Sequence, residues 1–569
     1  MILPKIRAPA NRIMQTSNKQ EAAIEGRGAF PRLFDHALGM ICLQVVLLLS
    51  VTLTLYAGSL YAPFVFDDVD FFSSPEAIAN YAHKYFSFDL RWLSYSTFNW
   101  TVSWFGLNLF WLRLGNVLLH AANAITLLFL LRRVFQIALV NDDASNDMHP
   151  SLAWFAFFGA LIFALHPISV YGVAYLIERS VLMANLFVLL MLLAYTEGIL
   201  RGGWHWMLGA ALLYFAAVYS KEHSITAPGL ALALTFLVRK PSIALFRQIA
   251  PFYILAALIA VTLLFSVRGI LGHAYEPNAA GILDLSARRQ GLLELPNAHL
   301  LSILTQSGLF FKYLWLWLLP DPAWMSVDMR APFATSFLSW PYTFGMVAFL
   351  AYACIAVWLL LKRGSMGLLG FALLFPWIMY LTEFSTVRIQ EPFVLYRSYL
   401  WMPGLFAALP VVFGRLDPRK AYITLGIICL LLLPLALNRL HTFSSTLLLW
   451  DDAEKLVRNK PNVFGAERIY YNRGTELGQL KRYKEAIADF SRAIAIFPSD
   501  TGYGNRATAY YFLGEYQEAL RDFDRAIVLN PDNANSYYGR AMTYRTLGDF
   551  AAAKENARKS CALGLCPPE

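Results

Sequence analysis

Up to about residue 440 the chain alternates long apolar runs with short polar breaks, and then its character changes. Twelve runs approach the length of about 20 residues that a helix needs to cross a hydrocarbon core. They are approximately 38–60, 108–131, 152–170, 181–200, 204–220, 223–238, 249–267, 302–319, 340–361, 366–384, 398–414 and 421–440. Beyond residue 450 the pattern turns amphipathic and repeats itself. YYNRGTELGQLKRYKEAIADFSRAIAIFPSD is followed by YGNRATAYYFLGEYQEALRDFDRAIVLNPDN and then YYGRAMTYRTLGDFAAAKENARKSCALG. Arg473, Arg506 and Arg540 are 33 and 34 residues apart, as are Tyr483, Tyr516 and Phe550. The small Ala486, Ala519 and Ala553 recur in phase, and Pro498 and Pro531 close the first two units.

A period near 34 with small and aromatic residues at fixed offsets is the tetratricopeptide signature, in which paired helices bury their faces only against neighbouring pairs. Three units reach the minimum for a stable stack. The array binds or positions something, most plausibly peptide, or it serves only as a cap, because fold alone does not assign a ligand. A helical stretch around Leu448–Lys460, ended by Pro461, would dock it on the membrane body.

Composition sharpens the division. Of 569 residues, 57% are hydrophobic and 15% charged, against about 45–50% and 25% in an average soluble chain. Residues 451–569 hold 33 of the 85 charged side chains, 28% of that stretch, and residues 1–450 fall below 12%. The expected architecture is all-α: a polytopic transmembrane helix bundle followed by an α-solenoid. Its parts are a cytoplasmic basic leader (1–37), a membrane body (38–441) with a first outer loop at 61–107, a helical linker (442–466) and the repeats (467–569). A soluble enzyme, a disordered scaffold and a secreted disulfide knot are excluded.

The net charge of +9 is an orientation signal and not a nucleic-acid signal. Lys5, Arg7, Arg12, Lys19, Arg27 and Arg32 precede the first span, which reads as an uncleaved signal anchor with its N-terminus in the cytoplasm. Arg132–Arg133, Arg201, Arg239–Lys240, Lys362–Arg363 and Arg415–Arg419–Lys420 also favour that side. They all reach it if 302–319, interrupted by Lys312, is re-entrant. That gives eleven crossings and an extracytoplasmic repeat domain, with twelve crossings and a cytoplasmic tail as the alternative. Cys561 and Cys566 would form a disulfide only in an oxidising compartment.

Ionisable residues kept near hydrocarbon are functional candidates. On the outer side they are Asp67, Asp68 and Asp70 in PFVFDDVDFF, Arg91, Glu178–Arg179, Lys221–Glu222–His223, and Arg388, Glu391 and Arg397. Arg113, Asn116, His120 and Asn123 are spaced 3, 4 and 3, so they form one polar stripe on one helical face that must look into the bundle. Glu178–Arg179 and Lys221–Glu222 could equally pin helix ends, and His166–Pro167 reads as a helix-end feature. Three acids in four residues suggest Ca²⁺ or Mg²⁺ but lack a matching acidic cluster, so no metal or other cofactor is assigned. Carboxylates among several Arg and Lys suit transfer from a phosphate-linked lipid. Cations would hold the phosphate leaving group, and one carboxylate would accept the proton of an attacking hydroxyl.

The acidic pair in the first outer loop, the many-span body and the repeats resemble GT-C-type glycosyltransferases. The likeness is to the transmembrane-and-tetratricopeptide O-mannosyltransferase-like proteins and their bacterial relatives. RLGNVLLHAANAITLL (113–128), ALIFALHPISVYGVAYLIERSVLMANLF (160–187), YSKEHSITAPGL (219–230) and QEPFVLYRSYLWMPG (390–404) carry it further. The resemblance implies a polyprenyl-phosphate-linked sugar donor used on the extracytoplasmic side, with Asp67 as catalytic base and Asp68 as its partner. Arg91, Arg179, Lys221 and Arg397 become the donor-phosphate candidates, supported by Glu178, Glu222, Glu391, His120 and Asn123. The short array favours a bacterial inner-membrane setting with the repeats in the periplasm. The acceptor is a protein, with a lipid or glycan acceptor, or a non-enzymatic repeat scaffold, as the competing expectations. The bilayer is a partner and nucleic acid is not.

Overall fold

The computed structural model describes residues 38–81, 86, 88–139, 150–274, 281, 284, 297–460, 463 and 465–566. The basic leader 1–37 lies outside the described residues. Among those described the protein is all-α, with one isolated bridge between Met329 and Phe393.

Seven helices are long and apolar enough to cross a membrane: Leu38–Ser59, Leu109–Leu139, Leu176–Arg201, Ile243–Val267, Tyr342–Leu361, Gly364–Phe384 and Pro418–Thr442. An eighth crossing is available if the bent pair Ser151–Leu165 and Pro167–Ala174 is one span. The chain is an integral membrane protein. The remaining apolar runs take other forms. Trp204–Ser220 has 17 residues, Glu222–Val238 and Pro403–Phe413 are shorter apolar helices, and the 398–414 run is broken by two 3-10 segments. The 302–319 run lies in an unbroken helix, Ala298–Leu318, with the Lys312 ammonium 4.3 Å from the centroid of the Phe393 ring. Polar breaks alone do not separate a full crossing from a half-length helix packed inside a bundle.

The bend at His166–Pro167 is 58°. Proline cannot donate to the preceding turn, and His166 caps the new helix by accepting from the Ile168 N–H at 3.2 Å. The kink places the backbone of 174–178 beside the first outer loop, where the site forms.

Helix Thr446–Val457 joins the body to the repeats. Its Asp452 takes the buried Arg439 at 2.8 Å, and Trp450 packs its ring 4.5 Å from that of Phe66 in the first outer loop. Three helix pairs follow, from Ala466–Gln479 to Phe550–Ala562. The 33- and 34-residue recurrence of arginine has a structural cause. Arg473 forks onto Asp489 at 2.6 and 2.8 Å, and Arg506 onto Asp522 at 2.7 and 2.9 Å. In the third unit Arg540 donates to Asn556 at 2.8 Å. Each bond ties the first helix of a pair to the second, and Ala486 and Ala519, fully buried, let the two approach.

Candidate functional site

The short helix Asp67–Phe71 follows Phe66, whose φ of +56° is a region that side-chain-bearing residues rarely adopt. This turn sends two consecutive carboxylates in different directions. Asp67 is exposed to a cavity of about 520 Å³ lined also by Arg91, Glu178, Lys221, Glu391, Arg397 and Arg468. Asp68 is fully buried and accepts backbone N–H bonds from Ile177 at 2.9 Å, Leu176 at 3.2 Å and Val65 at 3.5 Å. The pairing of both acids as catalytic groups is therefore corrected. Asp68 holds the backbone that carries Glu178 and does not reach the cavity.

Burial pushes the Asp68 carboxyl up to about 7, with Arg113 and the three backbone donors working the other way. Asp67 also lies above the ordinary carboxylate range. Confinement in the cavity wall is the main cause, aided by Glu391 and Glu178 and opposed by Arg468 and a bond from Tyr175. A carboxylate so placed is a better proton acceptor than a free one.

The cavity's cations come from four separate segments. Arg91, at φ +60°, forks onto Glu222 at 2.6 and 3.0 Å and donates to Tyr95 Oη at 3.3 Å. Lys221 lies 3.3 Å from Glu178, and Arg397 lies 3.0 Å from Glu383 and 3.8 Å from Glu391. Arg468 pairs with Glu391 and stacks its guanidinium 4.9 Å from the Phe66 ring centroid. Burial opposes ionisation of Glu391, but Arg468, Arg397 and Arg330 hold its carboxyl below the usual range. Every cavity cation thus already has a carboxylate partner, and a phosphate entering the cavity would compete for it.

Arg179, His120 and Asn123 do not reach this cavity, which corrects the expectation that they hold or support the donor. Arg179 is buried and donates to Asn116 Oδ1 at 2.9 Å, Thr97 Oγ1 at 3.2 Å and the Leu112 carbonyl at 2.6 Å. His120 bonds Tyr399 Oη at 2.7 Å and the Ala164 carbonyl at 3.1 Å. Asn123 donates to the Leu119 and Leu182 carbonyls, both at 2.9 Å. The stripe faces the interior as its spacing requires, but its task is to satisfy backbone that the kinks leave open. Arg113 shows this best, donating to the carbonyls of Ala62 and Ala174 at 2.9 and 2.8 Å and of Pro63 at 2.5 Å. Glu222 sits behind Arg91, on the wall of a second cavity of about 490 Å³.

That second cavity is mostly apolar, with Leu263, Leu264, Val267, Ile270 and Leu271 on one side, and it shares Arg91, Tyr95 and His223 with the first. A polar chamber and a greasy groove thus meet at three residues. Among the described residues no group of three or more His, Cys, Asp or Glu side chains gathers to hold a metal. Sequence reasoning missed Tyr95, Tyr396, Gln390 and, above all, the repeat-domain residues Arg468, Tyr471 and Asn472, which close the cavity from the other end of the chain.

Comparison with known proteins bears on both halves. Residues 467–500 and 501–533 match one tetratricopeptide repeat family, and residues 523–555 match a second. The mouse and human proteins named protein O-mannosyl-transferase TMTC2 are each 36% identical over 126 residues, 21% of this chain. The matched stretch spans 13% of their length. Among solved structures, ArnT from Cupriavidus metallidurans bound to undecaprenyl phosphate aligns over 86% of this chain and 80% of its own, at 16% identity and a TM-score of 0.36. Residues 467–555 are therefore a tetratricopeptide repeat array, carried by an all-α integral membrane protein that is similar in part to protein O-mannosyl-transferases.

Proposed function

We propose that the protein is a glycosyltransferase that moves a sugar from a polyprenyl-phosphate-linked donor to a hydroxyl of an extracytoplasmic acceptor, in protein O-glycosylation. The observation that carries this reading is the junction of the two cavities. An exposed carboxylate, Asp67, shares a chamber with four cations, and that chamber opens beside an apolar groove of a size to take part of a lipid chain. The name of the mouse and human relatives supports sugar transfer to protein and makes mannose the first sugar to test.

In this reading the isoprenoid lies along Leu263–Leu271 and the phosphate sits among Arg91, Lys221 and Arg397. Asp67 accepts the proton of the acceptor hydroxyl as its oxygen bonds to the anomeric carbon. The bond from that carbon to the phosphate oxygen breaks, and the polyprenyl phosphate leaves with its new negative charge held by the cations. No metal is needed to balance the step. The paired carboxylates keep the cations oriented before the donor arrives, so little reorganisation is left for the transition state.

The bonded Cys561–Cys566 pair favours an oxidising compartment for the repeats. It supports a bacterial inner-membrane setting with the array in the periplasm. The test compares cells making the normal chain with cells making Asp67→Asn, by intact-protein mass spectrometry and glycolipid analysis. The expected result is normal insertion with one or more proteins lighter by a sugar. Unchanged protein masses together with unchanged glycolipids would refute the proposal.

A further inference from the structure

A third cavity, of about 620 Å³, runs across the first helices of the three repeats. Two features set it apart. None of the residues lining it is charged, although 28% of residues 451–569 are. It also abuts the reaction chamber, because Tyr471 lines both. At that junction Asn505 Nδ2 donates to Tyr471 Oη at 2.9 Å. Asn505 lies in the groove and Asn472 in the chamber, 33 residues apart and at the same position of successive repeats.

We infer that this groove is the track along which a protein acceptor enters, bound as an extended, uncharged segment that presents a Ser or Thr hydroxyl to Asp67. The inference rests on the glycosyl-transfer reading and names its substrate class. Side-chain amides repeated toward the chamber can each pair with a peptide unit, whose N–H and C=O recur every ~3.3 Å along an extended chain regardless of sequence. The rings of Tyr511 and Tyr538 offer contact area to small side chains at low entropic cost. An acidic or basic residue in the segment would lose water without finding an opposite charge. A segment carrying hydroxyls and few charges is what such a groove selects.

Gly504 provides a test that spares the fold. It lies within helix Asp500–Leu513, and a Cβ there would meet only Ser536 Oγ, at an ordinary 3.4 Å. A large side chain at this position projects into the groove, and replacing a mid-helix glycine raises helix propensity. Gly504→Trp and, separately, Thr508→Glu are introduced into the full chain. The protein that loses its sugar in Asp67→Asn cells is then weighed in each variant. The expected result is a fall in its glycosylation of about tenfold or more, the equivalent of about 1.4 kcal/mol of binding, at unchanged levels of the variant chains. Its modified residues should fall in uncharged stretches. A synthetic peptide spanning one of those sites should bind the purified full-length protein by fluorescence anisotropy and lose affinity for Gly504→Trp.

Normal glycosylation in both variants would overturn the inference while leaving the transfer reading intact. So would modified sites lying in charged stretches, or an Asp67→Asn product that proves to be a glycolipid or free glycan. If Asp67→Asn changes no product at all, the transfer reading fails first and the inference with it.

Discussion

Asp68→Asn separates the roles of the two adjacent acids. Asp68 Oδ1 accepts from the Ile177 N–H, and Oδ2 accepts from Leu176 and, at greater length, from Val65. An asparagine of the same shape keeps one acceptor oxygen and turns an NH₂ donor toward backbone donors at the other. At least one buried bond is lost and a buried N–H is left unsatisfied, at a cost of about 1.5–3 kcal/mol. The loss is local, in the backbone before Glu178, so it appears as faster opening there. At about 1.4 kcal/mol per tenfold, amide exchange of a peptide covering 173–180 should rise roughly 10- to 150-fold in Asp68→Asn. The same peptide in Asp67→Asn should exchange at the wild-type rate, because Asp67 bonds no backbone N–H in this segment. Equal exchange in wild type and Asp68→Asn would refute the positioning role. So would a greater effect from Asp67→Asn.

Arg468→Gln should move the acid limb of the pH–activity profile to higher pH. The folded Asp67 carboxyl already lies above the ordinary range, and Arg468 is its main counterweight. Activity requires the ionised base, so it is lost as pH falls through the Asp67 value, and removing Arg468 raises that value; an unshifted limb in a titration of initial rates would contradict this. Arg179→Met should reduce the stability of the protein in detergent, by roughly 3–5 kcal/mol if its three acceptors are left unpaired. The surviving fraction should keep its KM for donor, and a raised KM at normal stability would return Arg179 to the phosphate site. Trp450→Ala empties the contact with Phe66 and should cost about 3–5 kcal/mol, seen as faster proteolysis between the membrane body and the repeats, and unchanged cleavage there would count against the Phe66–Trp450 contact.

The acidic pair could be found from sequence because two adjacent carboxylates among phenylalanines in PFVFDDVDFF stand out in a stretch with so few charges. The division of labour between them could not, since it depends on the positive φ of Phe66 and on the backbone of 176–177 arriving from over 100 residues away. The 33- and 34-residue spacing was enough to identify the repeats, as period and residue type coincide in every unit. The polar stripe from Arg113 to Asn123 was read in the right direction with the wrong purpose. Helical spacing says which way a side chain faces, but not whether a ligand or an open carbonyl waits there. Arg468 carried no local signal. It lies just outside the repeating pattern, and only folding brings it to Glu391 and Phe66.

Transfer in reconstituted membranes is the most direct test of Asp67 as base. Wild-type, Asp67→Asn and Asp67→Glu chains are placed in proteoliposomes with a labelled polyprenyl-phosphate mannose and a peptide from the acceptor identified in cells. General-base catalysis contributes on the order of 10²–10⁴-fold. The account therefore predicts a loss of that size in Asp67→Asn with an almost unchanged donor KM, and partial recovery in Asp67→Glu. An Asp67→Asn enzyme within a few-fold of the wild-type rate would contradict it.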